Sequence, residues 1–218
     1  MPIVDLSHVI EDGMITYPGL PGPTITDHMT FEESASHYGA GTEFHIGRID
    51  FVANTGTYLD TPAHRWRGRE DLSEVSLDRL VGLRGLVLRD TGPELTPDLI
   101  NDVDIKNAAV LLNTGWDRHW RTERYGSSDH PFVGEALAQA LVASGPTLVG
   151  IDSVNIDSTT GGMRPAHSLL LDAGILVVEH LTNLADIPDT GFEFSAVPAK
   201  VRQLATFPVR AFARWQAP

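Results

Sequence analysis

The chain has 218 residues, of which 42% are hydrophobic and 21% charged, and this composition argues against a largely disordered or fibrous protein. Lysine and arginine number 16 against 29 aspartate and glutamate residues, and the net charge of −13 argues against partners such as nucleic acid or an anionic membrane surface. Because the chain has no cysteine, disulfides, thiolate catalysis and zinc held by sulfur are excluded. Any metal must then be held by histidine, carboxylate or neutral oxygen.

The first half of the chain predicts short strands joined by turns. The strands are expected at 3–6, 28–33, 44–60 (as one or two strands), 85–89 and 108–113. The run at 17–23 is rich in proline and glycine and predicts a loop. The last two strands are continuous apolar runs, which is typical of strands buried on both faces.

Strands and helices alternate in the second half. A short helix is predicted to begin at Thr96, which is followed by proline and an acidic residue. Further helices are predicted at 134–144 and 168–173, and further strands at 148–151, 175–179 and 207–212. This alternation implies at least one parallel crossover, so we expect a single α/β domain over 1–218. No signal peptide or membrane-spanning run is visible, which predicts a cytoplasmic protein.

The densest polar cluster lies at 54–64. If this segment is extended, Asn54, Tyr58 and Asp60 share one face of a strand, since side chains alternate along it. Pro62 cannot donate to a central ladder, so the strand should end before it and a turn should present His64. Polar side chains on one face are costly to bury unless something binds them, but a hydrogen-bonded strand end explains the pattern equally well.

A second cluster begins at Asp152, 88 positions after His64. Asp152, Asp157 and His167 each have ordinary explanations as turn or helix-cap residues. Glu179 is less ordinary, because it ends a run of four aliphatic residues where an unpaired charge is not tolerated. One aspartate, two histidines and one glutamate from the two clusters could together bind a divalent metal and activate water.

Taken together, these motifs resemble the cyclase-like amidohydrolase family that includes bacterial kynurenine formamidase and isatin hydrolase. The segments that carry the resemblance, in chain order, are 5–8, 17–19, 55–57, 60–64, 111–116, 150–152, 156–157, 165–167, Glu179 and 208–211. Several separated motifs in the same order over almost the whole chain make this resemblance specific. It implies a swivelling β/β/α arrangement in which helices flank a mixed sheet, and assembly as a homodimer or homotetramer.

The family hallmark is His-x-Gly-Thr-His-x-Asp-x-Pro-x-His, and this chain departs from it: Asn54 and Tyr58 replace the two leading histidines. In the family those histidines and the aspartate bind zinc or manganese, and the last histidine is the acid/base. The functional residues that carry over by position are Asp60, His64, His167 and Glu179. The resemblance therefore implies one divalent metal, zinc or manganese, held by Asp60, His167 and Glu179.

Three functions remain open. The first is a metal-dependent hydrolase of a small amide, lactam or similar carbonyl substrate, with His64 and Asp60 catalytic and with Asn54 and Tyr58 donating to the oxyanion. The second is a metal-free acid/base enzyme, such as a dehydratase, isomerase or cyclase, in which Tyr58 is the donor. The third is a relative without catalytic activity that binds a small molecule.

Two further groups of residues are candidates for substrate contacts. Tyr17 and Trp116 are expected to line an aromatic or apolar pocket, although Trp116 is equally explained as a core residue. Arg65, Arg67 and Arg69 follow His64 and could form a positive rim for a carboxylate-bearing substrate, with salt bridges to neighbouring acids as the simpler explanation. Apolar residues within 28–52 could belong to a subunit contact.

Overall fold

The structure is a computed structural model and describes residues 1–216. Within them the strands are β1 (Ile3–Asp5), β2 (Thr24–Met29), β3 (Ile46–Asp50), β4 (Tyr58–Asp60), β5 (Leu83–Arg89), β6 (Glu94–Leu95), β7 (Ala109–Asn113), β8 (Phe132–Val133), β9 (Leu148–Ile151), β10 (Leu176–Glu179), β11 (Phe192–Ser195), β12 (Thr206–Pro208) and β13 (Phe212–Arg214). The α-helices are α1 (Phe31–Ala35), α2 (Glu135–Ser144) and α3 (Pro165–Asp172). Single-turn 3-10 helices lie at Pro62–His64, Leu77–Arg79, Pro97–Ile100, Trp116–His119 and Leu184–Asp186. None of the helices in this part of the chain is long and apolar enough to span a bilayer.

A mixed nine-stranded sheet is the centre of the fold, in the order β1-β13-β11-β5-β7-β9-β10-β4-β12. The four central strands β5, β7, β9 and β10 run parallel, and the others join antiparallel. The two continuous apolar runs predicted to be buried strands, 85–89 and 108–113, are β5 and β7 of this central group. The predicted α/β class and parallel crossover are therefore confirmed.

The sheet curls so that its two edges approach each other. β12 pairs with β4 at one edge and β13 pairs with β1 at the other, yet only residues 209–211 separate β12 from β13. Backbone hydrogen bonds fasten this short link to both sides, from the Leu6 amide to the Ala211 carbonyl (2.9 Å) and from the Val209 amide to the Thr57 carbonyl (2.9 Å). Within the sheet β4 pairs directly with β10, which brings the two polar clusters of the sequence together.

Both faces of the sheet are covered by apolar side chains, as the alternation along β7 shows. Leu111 points into one cluster with Leu59, Val178 and Phe194. Val110 and Leu112, one residue on either side, point into the other cluster, which contains the buried faces of α2 and α3. The two longer helices thus lie on the same face of the sheet, and α3 packs against β10 in this cluster.

The predicted strand at 28–33 is wrong. β2 ends at Met29, and α1 begins after Thr30 because Thr30 and Glu33 form a capping box. The Glu33 amide donates to the Thr30 hydroxyl (3.2 Å), and the Thr30 amide donates to the Glu33 carboxylate (2.8 Å). This reciprocal cap outweighs the weak strand preference of the flanking residues.

Two other boundaries differ from the prediction. The helix expected at 168–173 begins three residues earlier, at Pro165, so His167 lies inside its first turn. The single strand expected at 207–212 is two short strands: β12 is one edge of the curled sheet, and β13 lies next to the opposite edge strand, β1. Apolar runs as short as these do not reveal where a chain crosses from one edge to the other.

Candidate active site

Asp60, His64, His167 and Glu179, the four residues expected to share one cavity, lie together. Asp60 ends β4 and Glu179 ends β10, and the antiparallel register pairs Tyr58 with Glu179. The Nε2 atom of His167 is 3.7 Å from Asp60 Oδ2 and 3.6 Å from Glu179 Oε1. His64 approaches Asp60 from the 3-10 helix that follows β4, with Nδ1 at 3.6 Å from Oδ1.

Nε2 of His167 lies at a metal-ligand separation from each of the two carboxylates. Two ligand atoms about 2.1 Å from a tetrahedral metal lie about 3.4 Å apart, close to the separations of His167 Nε2 from Asp60 Oδ2 and Glu179 Oε1. Asp60 Oδ2 is fully buried and has no hydrogen-bond partner among residues 1–216, so this oxygen is left for a cation or a ligand. Within residues 1–216 the side chains whose ligand atoms all lie within 4.8 Å of one another are Asp60, His64 and His167, and Glu179 is not part of this group.

Asp157 fixes the orientation of His167. Its carboxylate accepts hydrogen bonds from the Ala166 amide (2.6 Å) and the His167 amide (3.0 Å), and it contacts His167 Nδ1 at 2.6 Å. The same side chain therefore caps the first turn of α3 and directs Nε2 of the imidazole towards Asp60 and Glu179. Carboxylates in this position are common behind metal-binding histidines.

Glu179 accepts hydrogen bonds from two donors and stands at the end of a buried series of hydrogen-bonded side chains. The Ile156 amide donates to Oε1 (2.6 Å) and the Tyr58 hydroxyl donates to Oε2 (2.6 Å). Because the single Tyr58 proton is used on Glu179, the 3.3 Å contact between His180 Nε2 and the Tyr58 oxygen requires His180 to donate from Nε2. His180 Nδ1 then accepts from the Tyr125 hydroxyl at 2.8 Å.

Thr206 of β12 links His64 to Asp60 in a similar way. Its hydroxyl donates to Asp60 Oδ1 and lies 2.8 Å from His64 Nδ1. Since the Thr206 proton goes to the carboxylate, His64 must donate from Nδ1, which leaves the lone pair on Nε2 free. Nε2 is the atom that could take a proton from water, and His64 is exposed enough to reach a substrate.

The charges of the buried groups are coupled. Burial would lower the pKa of His167, but Glu179, Asp157 and Asp60 together raise it to about 10. Burial would raise the pKa of Asp60, but His64, His167 and Thr206 hold it below its usual range. Burial raises the pKa of Glu179 to about 7 despite the opposing effect of the His167 imidazolium. The site thus favours a positive charge between two carboxylates, whether a proton or a metal supplies it.

A cavity of about 290 Å³ opens above these residues. It is lined by Tyr17, Leu20, Asn54, Tyr58, His64, Arg65, Asn155, Arg164, His167 and Glu179. Tyr17 and Asn54 thus lie where the sequence predicted a substrate pocket, whereas Trp116 does not line it. The Trp116 indole is buried behind the cavity wall against Tyr125 and Val154, and its Nε1 donates to the Tyr125 carbonyl (2.9 Å). A tryptophan with its only donor satisfied inside a cluster has the environment of a core residue.

Sequence reasoning missed Thr206 and His180. Thr206 stands in a short edge strand with no recognisable motif, and its partner His64 is 142 positions away. His180 gave one signal, its position directly after Glu179, and the structure holds it fully buried with a positive φ of 57°. Burial lowers its pKa to about 3, so it is neutral, as the hydrogen-bond directions require. Asp152 has the ordinary role considered for it, since its carboxylate binds the Thr114 and Gly115 amides at 2.8 Å each.

The family model described as "Putative cyclase" matches residues 4–158, more than half of the chain. The chain belongs to the cyclase family. Among curated proteins it is similar to the kynurenine formamidase of Salinibacter ruber, with 26% identity over 98% of both chains. It is also similar to that of Polaromonas naphthalenivorans, with 27% identity over 97% of this chain and 90% of the relative.

Solved structures support the cyclase-family fold over nearly the full length. A protein named as a potential metal-dependent hydrolase with cyclase activity superposes with a TM-score of 0.80 and 27% identity, covering 100% of this chain and 99% of the other. Isatin hydrolase A of Labrenzia aggregata superposes with a TM-score of 0.83 and 23% identity, covering 99% and 94%. At that identity the second likeness supports the fold alone. The relatives of this cyclase-family chain are thus named as hydrolases.

Proposed function

We propose that this protein is a metal-dependent hydrolase that cleaves the C–N bond of a small amide or lactam. The observation that carries the proposal is the buried Asp60 Oδ2, which lacks a hydrogen bond within residues 1–216 and lies 3.7 Å from Nε2 of His167, a residue that lines the cavity. The names of the relatives, kynurenine formamidase and metal-dependent hydrolase, point to the same chemistry.

The residues that would hold the metal are Asp60, His167 and Glu179. Zinc and manganese both accept carboxylate and imidazole ligands, and a three-ligand site leaves a position open for substrate or water. When bound, the metal supplies Lewis-acid polarisation of a carbonyl group and lowers the pKa of water. Because His167 must give up its Nε2 proton to become a ligand, binding of the metal releases a proton.

The other side chains would position and move protons. His64 accepts the proton of the attacking water at Nε2, while Thr206 holds its Nδ1–H, and His64 later donates the proton to the leaving nitrogen. Asn54 lines the cavity and can donate its amide to the developing oxyanion. Tyr58, expected from the sequence to share that task, donates its only proton to Glu179 and therefore supports a ligand instead.

The test is turnover of N-formylkynurenine and of isatin by protein that has been stripped with chelator and then reloaded with zinc or manganese. We expect hydrolysis of a formamide or lactam only after reloading. His64→Asn should bind the metal with unchanged affinity and lose activity by a factor of about 10²–10⁴. If His64→Asn instead loses the metal, His64 is a ligand, as the grouping of Asp60, His64 and His167 within 4.8 Å allows.

The metal-free acid/base enzyme is the second candidate, and one observation favours it. The His167 imidazolium already lies between Asp60 and Glu179, where it compensates their charges without a metal. Turnover that survives complete removal of metal would support this function. A complete absence of turnover on both substrates, with and without metal, would contradict the hydrolase proposal for them.

We also propose that the chain forms homodimers through its outer hairpin, residues 24–50. β2 and β3 pair only with each other, and nearly every residue of both strands is exposed. A two-stranded sheet that packs on neither face is only marginally stable, and Phe31, Phe44 and Ile46 are exposed large apolar residues on this segment. A second copy would cover them, so light scattering should give a dimer mass that Ile46→Asp converts to a monomer.

A further inference from the structure

The cavity carries two arginines that the proposed mechanism does not use. Arg65 directly follows His64, and Arg164 precedes His167 by three residues as the N-cap of α3. We propose that Arg65 and Arg164 form a carboxylate-binding rim, so that the substrate is a small amide or lactam that bears a carboxylate group. This inference rests on the proposed function, because it names the substrate class of the same cavity.

Both guanidinium groups are held in place on one side. Arg65 Nε donates to the Ser168 hydroxyl (3.0 Å), and its guanidinium lies 4.4 Å from the Trp66 ring centroid. Arg164 Nη1 donates to the backbone carbonyls of Ser158 (3.1 Å), Gly161 (3.2 Å) and Met163 (2.8 Å). Stacking and multiple hydrogen bonds reduce the conformational freedom that a long side chain would otherwise lose on binding a ligand.

The remaining nitrogen atoms of the two guanidinium groups have no partner in residues 1–216. The Nη1 and Nη2 atoms of Arg65 and the Nε and Nη2 atoms of Arg164 make no hydrogen bond there, and no carboxylate lies within 4.0 Å of either guanidinium. Two arginines that do not line the cavity are paired instead: Arg69 with Asp172 (3.0 Å) and Arg79 with Glu70 (2.7 Å). The chain has a net charge of −13, yet within the described residues these two arginines on one cavity have no acidic partner. We therefore expect an anionic ligand to accept hydrogen bonds from their free nitrogens.

The rest of the cavity determines how such a ligand would lie. His167 and Glu179 lie at the floor of the cavity, where the proposed metal would take the amide carbonyl, so the two arginines of the rim are the positive groups that remain for the substrate carboxylate. Tyr17 and Leu20 provide an aromatic and an aliphatic wall for the body of the substrate. A molecule bound at its carboxylate by the rim places its amide bond near His64, between floor and rim.

The experiment compares an anionic formamide, 2-formamidobenzoate, with its neutral methyl ester, using metal-loaded protein. Wild type should prefer the acid. Arg65→Met and Arg164→Gln should each lower kcat/KM for the acid by about 10- to 100-fold, mainly through KM, and change that for the ester less than about threefold. Arg67→Met is the matched control, because Arg67 is an exposed neighbour that does not line the cavity. It should leave kcat/KM unchanged for both the acid and the ester.

Titration with benzoate and benzamide separates this inference from the proposed hydrolase activity. Benzoate should bind wild type more tightly than benzamide, and this preference should disappear in both rim variants whether or not the protein hydrolyses anything. If acid and ester are hydrolysed at equal rates and neither variant changes those rates, the inference that Arg65 and Arg164 bind a carboxylate is wrong. The hydrolase proposal would still stand. If Arg65→Met loses both substrates because it misfolds, Arg164→Gln decides the question alone.

Discussion

Replacing Tyr58 by phenylalanine removes one oxygen from the buried series of hydrogen bonds that ends on Glu179. The substitution keeps the ring and its volume, so the change is confined to two hydrogen bonds. Glu179 Oε2 loses its 2.6 Å donor, and the Nε2–H of His180 loses its acceptor. All three side chains are at most 2% exposed, so water cannot replace the missing oxygen without rearrangement.

The magnitude follows from these two losses. A hydrogen bond to a charged group contributes about 1.5–3 kcal/mol, and a buried donor left without a partner costs about 1–3 kcal/mol. Because Glu179 can take up a proton, we expect the lower part of this range, a loss of about 3 kcal/mol in the free energy of unfolding. For a domain of this size that corresponds to a fall in Tm of about 6–12 °C.

The loss should also depend on pH. Burial raises the pKa of Glu179 to about 7 in the native protein, so below that pH the group is largely protonated and needs the Tyr58 donor less. The destabilisation by Tyr58→Phe should therefore be smaller at pH 5.5 than at pH 8.5, since it is fully present only where the carboxylate is charged.

Urea and thermal unfolding of metal-free protein at the two pH values measure this effect. Tyr125→Phe, which removes only a donor to neutral His180, should cost about 1 kcal/mol. Leu77→Met is the control, because Leu77 is exposed and lies outside the outer hairpin, and it should leave stability unchanged. A loss below about 0.5 kcal/mol at pH 8.5 would refute the inferred donor chain, because such a value is typical of a surface substitution.

Three further substitutions test the site. Thr206→Val should lower kcat at least about tenfold while metal affinity stays within about threefold, because His64 loses the acceptor that orients it; steady-state kinetics and metal titration measure this. Asp157→Asn should weaken metal binding about 10- to 100-fold by calorimetry, because His167 loses its charged partner. His167→Gln tests a pH effect. The pKa of His167 is raised from 6.5 to about 10, so its stabilisation is present below pH 6.5 and is lost as pH rises through 10. The metal-free wild type should lose up to about 1.4 kcal/mol per pH unit between 7 and 10, and the variant should not.

The sequence by itself determined the central sheet and the membership of the site. Runs such as 108–113 are apolar without interruption because β7 is covered on both faces, and that burial is readable from a few adjacent residues. Glu179 stood out for the same reason, as a carboxylate at the end of a buried strand. The motif around Asp60 and His64 then indicated which residues Glu179 would meet.

Only the tertiary structure decided what each of these side chains does. Tyr58 donates to Glu179 across 121 positions of sequence, and Thr206 joins His64 to Asp60 across more than 140. Such partnerships depend on the antiparallel register of β10, β4 and β12 and on the curl that brings the edges of the sheet together. Helix caps and side-chain periodicity are set by residues within about four positions, whereas a proton is shared with whichever atom the folded chain places within 3 Å, however distant it is in sequence.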